Sequence, residues 1–352
     1  MLVSQLLPRD LFRGKTVFVT GGGSGINLGI ARSFAALGAN VGICGRTQDK
    51  LDRAAEELRS LGAAVCAQAA DVRDYAALEA SLRAARDTLG PIDVLVCGAA
   101  GNFPIPAEKL SPNGFKTVVD IDLLGSFNAT RASFEQLKTT RGCVLFVSAG
   151  MAFVPHPYQV HVGAAKAGID MMMRNLAYEW GRYGIRCNSI IPGPIGGTEG
   201  MRRLGGTDSA EDQSLAVPLG RYGTVEEIGQ AAVFLASPLA AYVTGAVLTV
   251  DGGSNLLGAV PFQSAIEKHA SFLRGEKSRK VVIEGHTDER GGREYNLALG
   301  QRRSESVRRA LGLLGVPDSQ VEAVSFGKEK PAEPGSNEAA WAKNRRAEIS
   351  YR

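Results

Sequence analysis

A glycine-rich turn close to the N-terminus restricts the fold of this 352-residue chain more than any other feature. The apolar run Thr16–Thr20 leads straight into this turn, and a helical pattern follows it. Glycines between a strand and a helix let the backbone approach a pyrophosphate, which then rests on the first amides of the helix. A plain tight turn is the alternative, but the position at the start of a β-α-β unit favours a phosphate site. The candidate phosphate-contacting residues are Gly21, Gly23, Ser24, Gly25 and Ile26.

Short apolar runs and helical stretches alternate along the chain up to about residue 257. A stretch such as Asp49–Leu61 places Leu51, Ala54 and Leu58 on one helical face. This alternation predicts an α/β fold with a doubly wound, Rossmann-like parallel sheet, whose ligands bind at the carboxyl ends of the strands. The seven candidate strands are Thr16–Thr20, Ala39–Cys44, Ala64–Ala69, Val94–Cys97, Cys143–Val147, Arg186–Ile191 and Val247–Val250.

The rhythm changes after Asp251–Gly253, and the chain is longer than one hydrophobic core usually supports. Residues 258–264 have the pattern of a junction. The part beyond it mixes helices and strands without the regular alternation, which predicts a second, smaller α+β domain. We therefore expect domains over residues 1–257 and 265–352. The elements predicted for the second part are helices over 262–274, 295–314 and 337–344 and strands over 280–284, 321–326 and 346–351.

Composition and charge exclude several classes of protein. Hydrophobic residues make up 44% and charged residues 22% of the chain, as in ordinary globular domains. No apolar run approaches the roughly 18 residues of a membrane helix, and a net charge of +4 is too small for a nucleic-acid footprint. The N-terminus lacks the basic start, long apolar stretch and cleavage site of a secretory signal, so we expect a cytoplasmic protein.

The five cysteines are scattered, without a CxxC pair or a cluster with histidine. A metal or disulfide site is usually signalled by such spacing. Reduced thiols packed as small apolar side chains are therefore favoured, and no metal site is predicted. The five are Cys44, Cys66, Cys97, Cys143 and Cys187.

The residue that follows the second predicted strand bears on the choice of cofactor. A carboxylate there would bind the ribose 2′-hydroxyl of NAD, whereas this chain has Arg46. A guanidinium can form a fork onto a 2′-phosphate, which a carboxylate would repel. The sequence therefore favours NADPH over NADH, although an ordinary surface arginine would leave the preference open.

With these residues the chain resembles a short-chain dehydrogenase/reductase over nearly all of residues 10–255. Asp71 and Val72 resemble the pair that lines the adenine pocket, and Ala99, Ala100 and Gly101 resemble the turn after the fourth strand. The resemblance implies a nicotinamide-dependent oxidoreductase and, since the family is mostly tetrameric, a homo-oligomer. The segment that resembles the closure over the nicotinamide contains Pro192, Gly193, Ile195 and Thr198.

The catalytic half of the family pattern is incomplete. The family has Tyr-x-x-x-Lys, in which the tyrosine is the general acid. Lys166 is present here, but Val162 occupies the tyrosine position and cannot donate a proton. Asp122 stands where the family has an asparagine, and Asn27 replaces the third glycine of the phosphate turn.

These departures resemble one branch of the family, the peroxisomal type of 2,4-dienoyl-CoA reductase. The matching segments are residues 99–103, 115–122 and 193–200, together with the lysine motif that lacks a tyrosine. The resemblance implies reduction of a conjugated dienoyl-CoA to a 3-enoyl-CoA with NADPH. The expected partner is therefore an acyl-CoA or a similar thioester.

Reduction of a carbon–carbon double bond makes sense of the missing tyrosine. Hydride adds at the far end of the conjugated system, so charge collects on the thioester oxygen and the α-carbon. Asp122 near Lys166, acting through water, is the candidate proton source, and Asn102 is the candidate donor to the thioester oxygen. Two alternatives stay open. Asp122 only orients Lys166, or Tyr158 acts as a substitute acid, which would favour a 3-oxoacyl-thioester reductase or 3-hydroxyacyl dehydrogenase.

The C-terminal segment resembles the OmpA-like peptidoglycan-binding domain of peptidoglycan-associated lipoproteins over residues 265–352. That family grips diaminopimelate with an aspartate and an arginine, and Asp288 and Arg303 have the same spacing. The resemblance implies peptidoglycan as a partner. The strand with which the family domain usually opens has no counterpart here. The alternatives are a passenger domain, or a cell-wall tether whose first domain binds nucleotide without catalysis.

Overall fold

The computed structural model describes residues 7–203, 217–257 and 263–352. The chain divides into two compact units, residues 1–259 and 260–352. Most of the predicted junction, residues 258–262, lies outside the described residues. No helix in the described part of the chain is long and apolar enough to cross a membrane.

Seven parallel strands form the sheet of the first unit, which confirms the predicted doubly wound α/β fold. They are β1 (Thr16–Thr20), β2 (Asn40–Gly45), β3 (Val65–Ala69), β4 (Ile92–Cys97), β5 (Cys143–Val147), β6 (Arg186–Pro192) and β7 (Val247–Val250). Their spatial order is β3-β2-β1-β4-β5-β6-β7. The winding reverses between β1 and β4, and such a reversal opens a ligand crevice at the carboxyl ends of the strands.

The helices of the first unit connect these strands. They are α1 (Gly25–Ala35), α2 (Gln48–Ser60), α3 (Tyr75–Leu89), α4 (Pro112–Val119), α5 (Gly125–Thr140), α6 (Val160–Trp180), α7 (Glu199–Arg203) and α8 (Val225–Ala236). Between α4 and α5 the chain forms a single π-helical turn, Asp120–Leu124.

The alternating side chains of β1 fix this strand between two hydrophobic cores. Val17 and Val19 pack with Ile30 and Phe34 of α1 on one face. Phe18 packs with apolar residues of α3 on the other face. These side chains are fully buried, and each contributes about 1.5–3 kcal/mol by leaving water. The end of β1, and the glycine-rich turn after it, are therefore held firmly in place.

The five cysteines belong to the same interior. All are buried free thiols. Burial raises the pKa of Cys44 to about 12, so this thiol stays protonated at neutral pH and packs as a small apolar side chain.

In the described part of the second unit, three strands form a mixed sheet beside helices, which confirms the predicted small α+β domain. The strands are β8 (Val281–His286), β9 (Val321–Gly327) and β10 (Ala347–Tyr351), and the helices are α9 (Gln263–Gly275), α10 (Arg293–Leu313) and α11 (Glu338–Asn344). The middle strand β8 runs parallel to β9 and antiparallel to β10. Leu273 of α9, Leu311 of α10 and Ile283 of β8 share one core.

Candidate active site

The turn after β1 has the geometry of a phosphate cradle. Gly21 has a φ of 70°, and a Cβ on it would lie 3.0 Å from the Cα of Ala99. Gly25, with a φ of 58°, opens α1. The side chain of Ser24 makes no capping hydrogen bond, and the first turn of α1 contains no acidic residue. The positive end of this 11-residue helix therefore faces the turn, and the residues fit a bound pyrophosphate.

Asn27, in the place of the family's third glycine, joins this turn to the end of β4. Its Nδ2 donates to the carbonyl of Gly98 at 2.8 Å. A Cβ on Gly98 would lie only 2.1 Å from Asn27 Oδ1. The larger side chain at position 27 therefore fits because position 98 has none.

The residues predicted to bind the adenosine half of the cofactor lie at the ends of β2 and β3. Arg46 is exposed directly after β2. Arg73, and more weakly Arg46, lower the pKa of Asp71, so Arg46 acts electrostatically on this side of the crevice. Val72 is buried and packs closely on Gly125, where a Cβ would lie 2.5 Å from Val72 Cγ2.

The turn that follows β4 is held between two side chains. The Oγ1 of Thr20 accepts hydrogen bonds from the amides of Gly98, at 3.0 Å, and Ala99, at 3.2 Å. The Oδ1 of Asp122 accepts from the amide of Gly101 at 2.7 Å. Ala100 lies between these contacts. The segment is therefore fixed beside the glycine-rich turn and connected directly to Asp122.

Asp122 lies on the π-helical turn Asp120–Leu124 and is completely buried. Its Oδ2 lies 3.2 Å from Nζ of Lys166. Single π-helical turns are rare and occur frequently at functional sites. The sequence singled out Asp122 by its departure from the family pattern, but the turn that presents it was not predicted, because its residues have an ordinary helical pattern.

Lys166 lies on α6 and is only 6% exposed. Its Nζ donates a hydrogen bond to the carbonyl of Val147, at the end of β5, at 3.0 Å. Val162, one helical turn earlier, is 2% exposed and packs with Val118 of α4. The position of the family's tyrosine is therefore occupied by a core side chain, and the neighbour of the lysine is a carboxylate.

The two other predicted catalytic residues, Asn102 and Tyr158, lie in different surroundings. Asn102 directly follows Gly101, and its Oδ1 is buried without a hydrogen-bond partner among the described residues. Tyr158 is 55% exposed and has a φ of 66°, with its backbone carbonyl bonded to the amide of Ile105. Its hydroxyl has no hydrogen bond to Asp122 or Lys166. Asn102 therefore directly follows the residue whose amide is hydrogen-bonded to Asp122, whereas Tyr158 makes no hydrogen bond with either member of the pair.

Two buried titratable residues near this pair were not assigned a role from the sequence. His161 is fully buried, its ring 4.5 Å from that of Phe103, and burial lowers its pKa. Asp170 is also buried, and burial raises its pKa. The hydroxyls of Ser189 and Ser148 partly oppose this rise in the pKa. Asp170 stands four residues after Lys166, so helical spacing alone would have placed it on the same face of α6.

The segment predicted to close over the nicotinamide follows β6. The amide of Gly193 donates to the carbonyl of Val250 at 3.0 Å, and a Cβ on Gly193 would lie 2.5 Å from the Cα of Asp251. Thr198 Oγ1 donates to the carbonyl of Ile195 at 2.9 Å. Pro192, the last residue of β6, begins this segment at the same edge of the sheet as the glycine-rich turn.

In the second unit, Asp288 follows β8 and is clamped by two arginines. Its Oδ2 lies 2.7 Å from Nη2 of Arg290 and 3.1 Å from Nη1 of Arg345. Arg290, with a smaller contribution from Arg345, lowers the pKa of Asp288 to about 2. Arg303 of α10 donates to the carbonyl of His286 at 2.6 Å. Asp288 and Arg303 therefore both lie at the end of β8, but the sequence did not indicate the two arginines that already pair with Asp288.

Known families match both parts of the chain. Residues 21–255 match the family model described as enoyl-(acyl carrier protein) reductase. Residues 257–345 match the model of the OmpA family. The chain therefore belongs to the short-chain dehydrogenases/reductases and carries a C-terminal OmpA domain.

Individual relatives confirm the resemblance to one branch of that family. A peroxisomal 2,4-dienoyl-CoA reductase of Saccharomyces cerevisiae, (3E)-enoyl-CoA-producing, is 45% identical over 253 residues, which are 71% of this chain and 87% of the relative. The corresponding enzyme of Rattus norvegicus is 46% identical over 248 residues, 70% of this chain and 85% of the relative. Among solved structures, an NADPH-bound short-chain oxidoreductase of Pseudomonas aeruginosa PAO1 with an atypical catalytic center is 30% identical, with a TM-score of 0.65 over 69% of this chain and 97% of that one.

Proposed function

We propose that the first unit reduces a conjugated acyl-CoA thioester, a 2,4-dienoyl-CoA or enoyl-CoA, with NADPH. The observation that carries this proposal is the buried pair of Asp122 and Lys166, 3.2 Å apart, with Val162 in the place of the family's tyrosine. A site for carbonyl reduction needs an acid beside the reacting oxygen, whereas reduction of a conjugated double bond needs a proton near the α-carbon. The similarity to 2,4-dienoyl-CoA reductases supports the same function.

Bound NADPH supplies the hydride, and the residues of this chain bind the cofactor, orient the substrate and supply the proton. The start of α1 binds the pyrophosphate through its backbone amides. Lys166 is held by the Val147 carbonyl, which suits it to bind the ribose and to keep its place beside Asp122. Asp122 is held in turn by the Gly101 amide. We assign the transferable proton of the pair to the Lys166 ammonium; Asp122 would take it up and pass it through a water molecule to the α-carbon, and the burial of the pair strengthens its electrostatic effect.

Asn102 is the proposed donor to the thioester oxygen. Its Oδ1 is buried and unpartnered among the described residues. The unpartnered atom is an acceptor, and a half-turn of the terminal amide places Nδ2 there instead, where a ligand oxygen would complete its hydrogen bond. The Nδ2 group would donate to the oxygen on which negative charge develops after hydride addition.

NADPH is proposed over NADH because Arg46, and no carboxylate, follows β2. Asp71 is paired with Arg73 at 2.6 Å, and Arg46 has no ion pair within the described residues. The guanidinium of Arg46 is therefore available for a 2′-phosphate. The NADPH-bound structural neighbour supports this preference.

The test of this function is the rate of NADPH oxidation with 2,4-hexadienoyl-CoA compared with acetoacetyl-CoA. We expect turnover of the dienoyl thioester to exceed that of the oxo thioester by about 10²-fold or more, since the acid for carbonyl reduction is missing. The opposite preference would favour a 3-oxoacyl-thioester reductase. Intact NADPH binding without turnover of either substrate would favour the non-catalytic tether.

A second candidate function, binding of diaminopimelate-containing peptidoglycan, is favoured by Asp288 and Arg303 at the end of β8. The low pKa of Asp288, which Arg290 and Arg345 cause, keeps this carboxylate ionised, and an ammonium ligand would take the place of one of these arginines. Retention on purified peptidoglycan is expected to fall for Asp288→Ala. It should stay at the parent's level for Asp318→Ala, an exposed aspartate paired with Arg308 in the same unit. Equal retention of the Asp288→Ala variant and the parent would remove this function.

A further inference from the structure

Three side chains of the second unit form a cluster of carboxylates and imidazole on one face of its sheet. Glu284 and His286 alternate with Gly285 along β8, so both point away from the core face that Ile283 occupies. Glu348 of β10 pairs directly with Glu284 across the strands. One ligand atom from each of the three lies within 4.8 Å of the others. These side chains are not part of the proposed peptidoglycan site.

The cross-strand pair of Glu284 and Glu348 brings two negative charges opposite each other, an unfavourable arrangement in a sheet. The Nζ of Lys330 lies 3.6 Å from Glu284 Oε2, beyond an ordinary hydrogen bond. The Nε of Arg346 bonds Glu348 through Oε1, at 2.6 Å. The Oε2 atoms of both glutamates therefore remain directed at the centre of the cluster.

The imidazole of His286 is aimed at these two oxygens and has no partner of its own. The side chain is 1% exposed, and neither ring nitrogen makes a hydrogen bond within the described residues. Its Nε2 lies 3.7 Å from Oε2 of Glu284 and 4.0 Å from Oε2 of Glu348. Stacking on Phe326, with the rings 15° from parallel, fixes the plane of the imidazole. A buried ring held in this way lacks a hydrogen-bond or metal partner.

We propose that Glu284, His286 and Glu348 bind a divalent first-row transition-metal ion, with Zn²⁺ as the ion that the ligands suit best. An imidazole nitrogen and carboxylate oxygens are ordinary ligands of zinc. Ligands about 2.0–2.2 Å from a tetrahedral zinc lie about 3.3–3.6 Å apart, so the two distances from His286 Nε2, 3.7 and 4.0 Å, need only a small contraction. The side chain of Glu348 is 48% exposed, which leaves an entry path and room for water as a further ligand.

Metal binding at this cluster would strengthen the attachment of β10 to β8. This strand lies at the edge of the sheet, its residues are mostly exposed, and one of its contacts with β8 is the repulsive glutamate pair. A bound cation would add to the partial compensation that Lys330 and Arg346 give these two carboxylates and would join the strands. Because it would bind only the folded unit, it would also stabilise that unit against unfolding.

The test is equilibrium dialysis of the untagged, chelator-treated 352-residue chain against Zn²⁺, with metal analysis. We expect one zinc ion per chain, and a loss of affinity of at least about tenfold for Glu348→Gln. The half-exposed position of Glu348 lets this variant fold. The control is Glu322→Gln, a glutamate of β9 that pairs with Arg352 at 3.0 Å and should leave zinc affinity unchanged.

A second variant distinguishes a metal site from a cluster held together only by ion pairs. Lys330→Gln removes the ammonium group beside Glu284 and should therefore tighten zinc binding, opposite to Glu348→Gln. NADPH oxidation by the first unit should not change in either variant, so the result does not depend on the proposed reductase activity. Absence of bound zinc in the parent chain, or equal affinity of the parent and Glu348→Gln, would overturn the proposal.

Discussion

The Oδ2 of Asp122 lies 3.2 Å from the Nζ of Lys166, and both side chains are almost completely buried. A buried ion pair is tolerated only where further hydrogen bonds satisfy its members. The Gly101 amide does this for Asp122, and the Val147 carbonyl does it for Lys166. Where the family pattern has a tyrosine on α6, the neighbour of the lysine here is a carboxylate on the π-helical turn before α5.

Loss of the lysine should destabilise the first unit as well as inactivate it. Lys166→Ala leaves the Asp122 carboxylate buried without its cation, which typically costs about 3–5 kcal/mol. Lys116→Ala removes a lysine from an exposed pair with Asp120 and should cost no more than about 1 kcal/mol. Thermal unfolding of both variants checks this, and equal stability of the two would contradict the role of the buried pair.

The cofactor preference should depend on Arg46. Arg46→Ala is expected to raise the KM for NADPH by about tenfold or more, because a charge-assisted contact with the 2′-phosphate is lost. The KM for NADH should stay unchanged. Arg53→Ala, which removes an exposed arginine of α2, serves as the control. Steady-state kinetics with both cofactors measures the effect. A parallel change for NADPH and NADH would assign Arg46 no part in the choice.

The fit between Asn27 and Gly98 can be tested by a double-mutant cycle. Gly98→Ala places a methyl group where Asn27 Oδ1 lies, 2.1 Å from the new carbon, and should destabilise the unit by about 1–3 kcal/mol. Adding Asn27→Gly should recover much of that loss, because the clash disappears. Chemical denaturation of the parent, both single variants and the double variant gives the coupling energy. Strict additivity would show that the two positions do not interact.

The free energy of unfolding of the second unit should depend on pH through the ionisation of Asp288. The pKa of this group is about 2 in the folded protein and about 3.9 in an unfolded chain. Because the folded pKa is depressed, the carboxylate stabilises the unit above about pH 4, and that contribution is lost as the pH falls towards 2. Asp288→Asn should flatten this dependence in unfolding experiments between pH 2 and 5, whereas Asp318→Asn should keep the slope of the parent.

Local sequence rules were sufficient for the scaffold of both units. Apolar runs of strand length and the glycines after Thr20 fix β1 and its turn through local geometry and burial, so the doubly wound sheet followed from pattern alone. The elements of the C-terminal part likewise lie within one or two residues of their predicted ends.

The details of the sites depend on contacts between distant residues, which local patterns do not encode. Asn27 and Gly98 are 71 positions apart and meet only because β1 and β4 are neighbours in the sheet. The π-helical turn under Asp122 has no distinct residue pattern. His286 and Glu348 meet because β10 returns antiparallel to β8, and Asp288 meets Arg345 at the same edge.

The rate of 2,4-hexadienoyl-CoA reduction by Asp122→Asn shows whether this carboxylate takes part in protonation. The amide keeps the shape of the side chain and an acceptor for the Gly101 amide, but it cannot take up a proton from Lys166 and pass it on. The matched control is Asp120→Asn in the same π-helical turn, whose carboxylate pairs with Lys116 at the surface. With NADPH binding and unfolding temperature checked for both, we predict a loss of about 10²-fold or more for Asp122→Asn and a rate close to the parent for Asp120→Asn. An unchanged rate in Asp122→Asn would show that Asp122 takes no part in protonating the substrate.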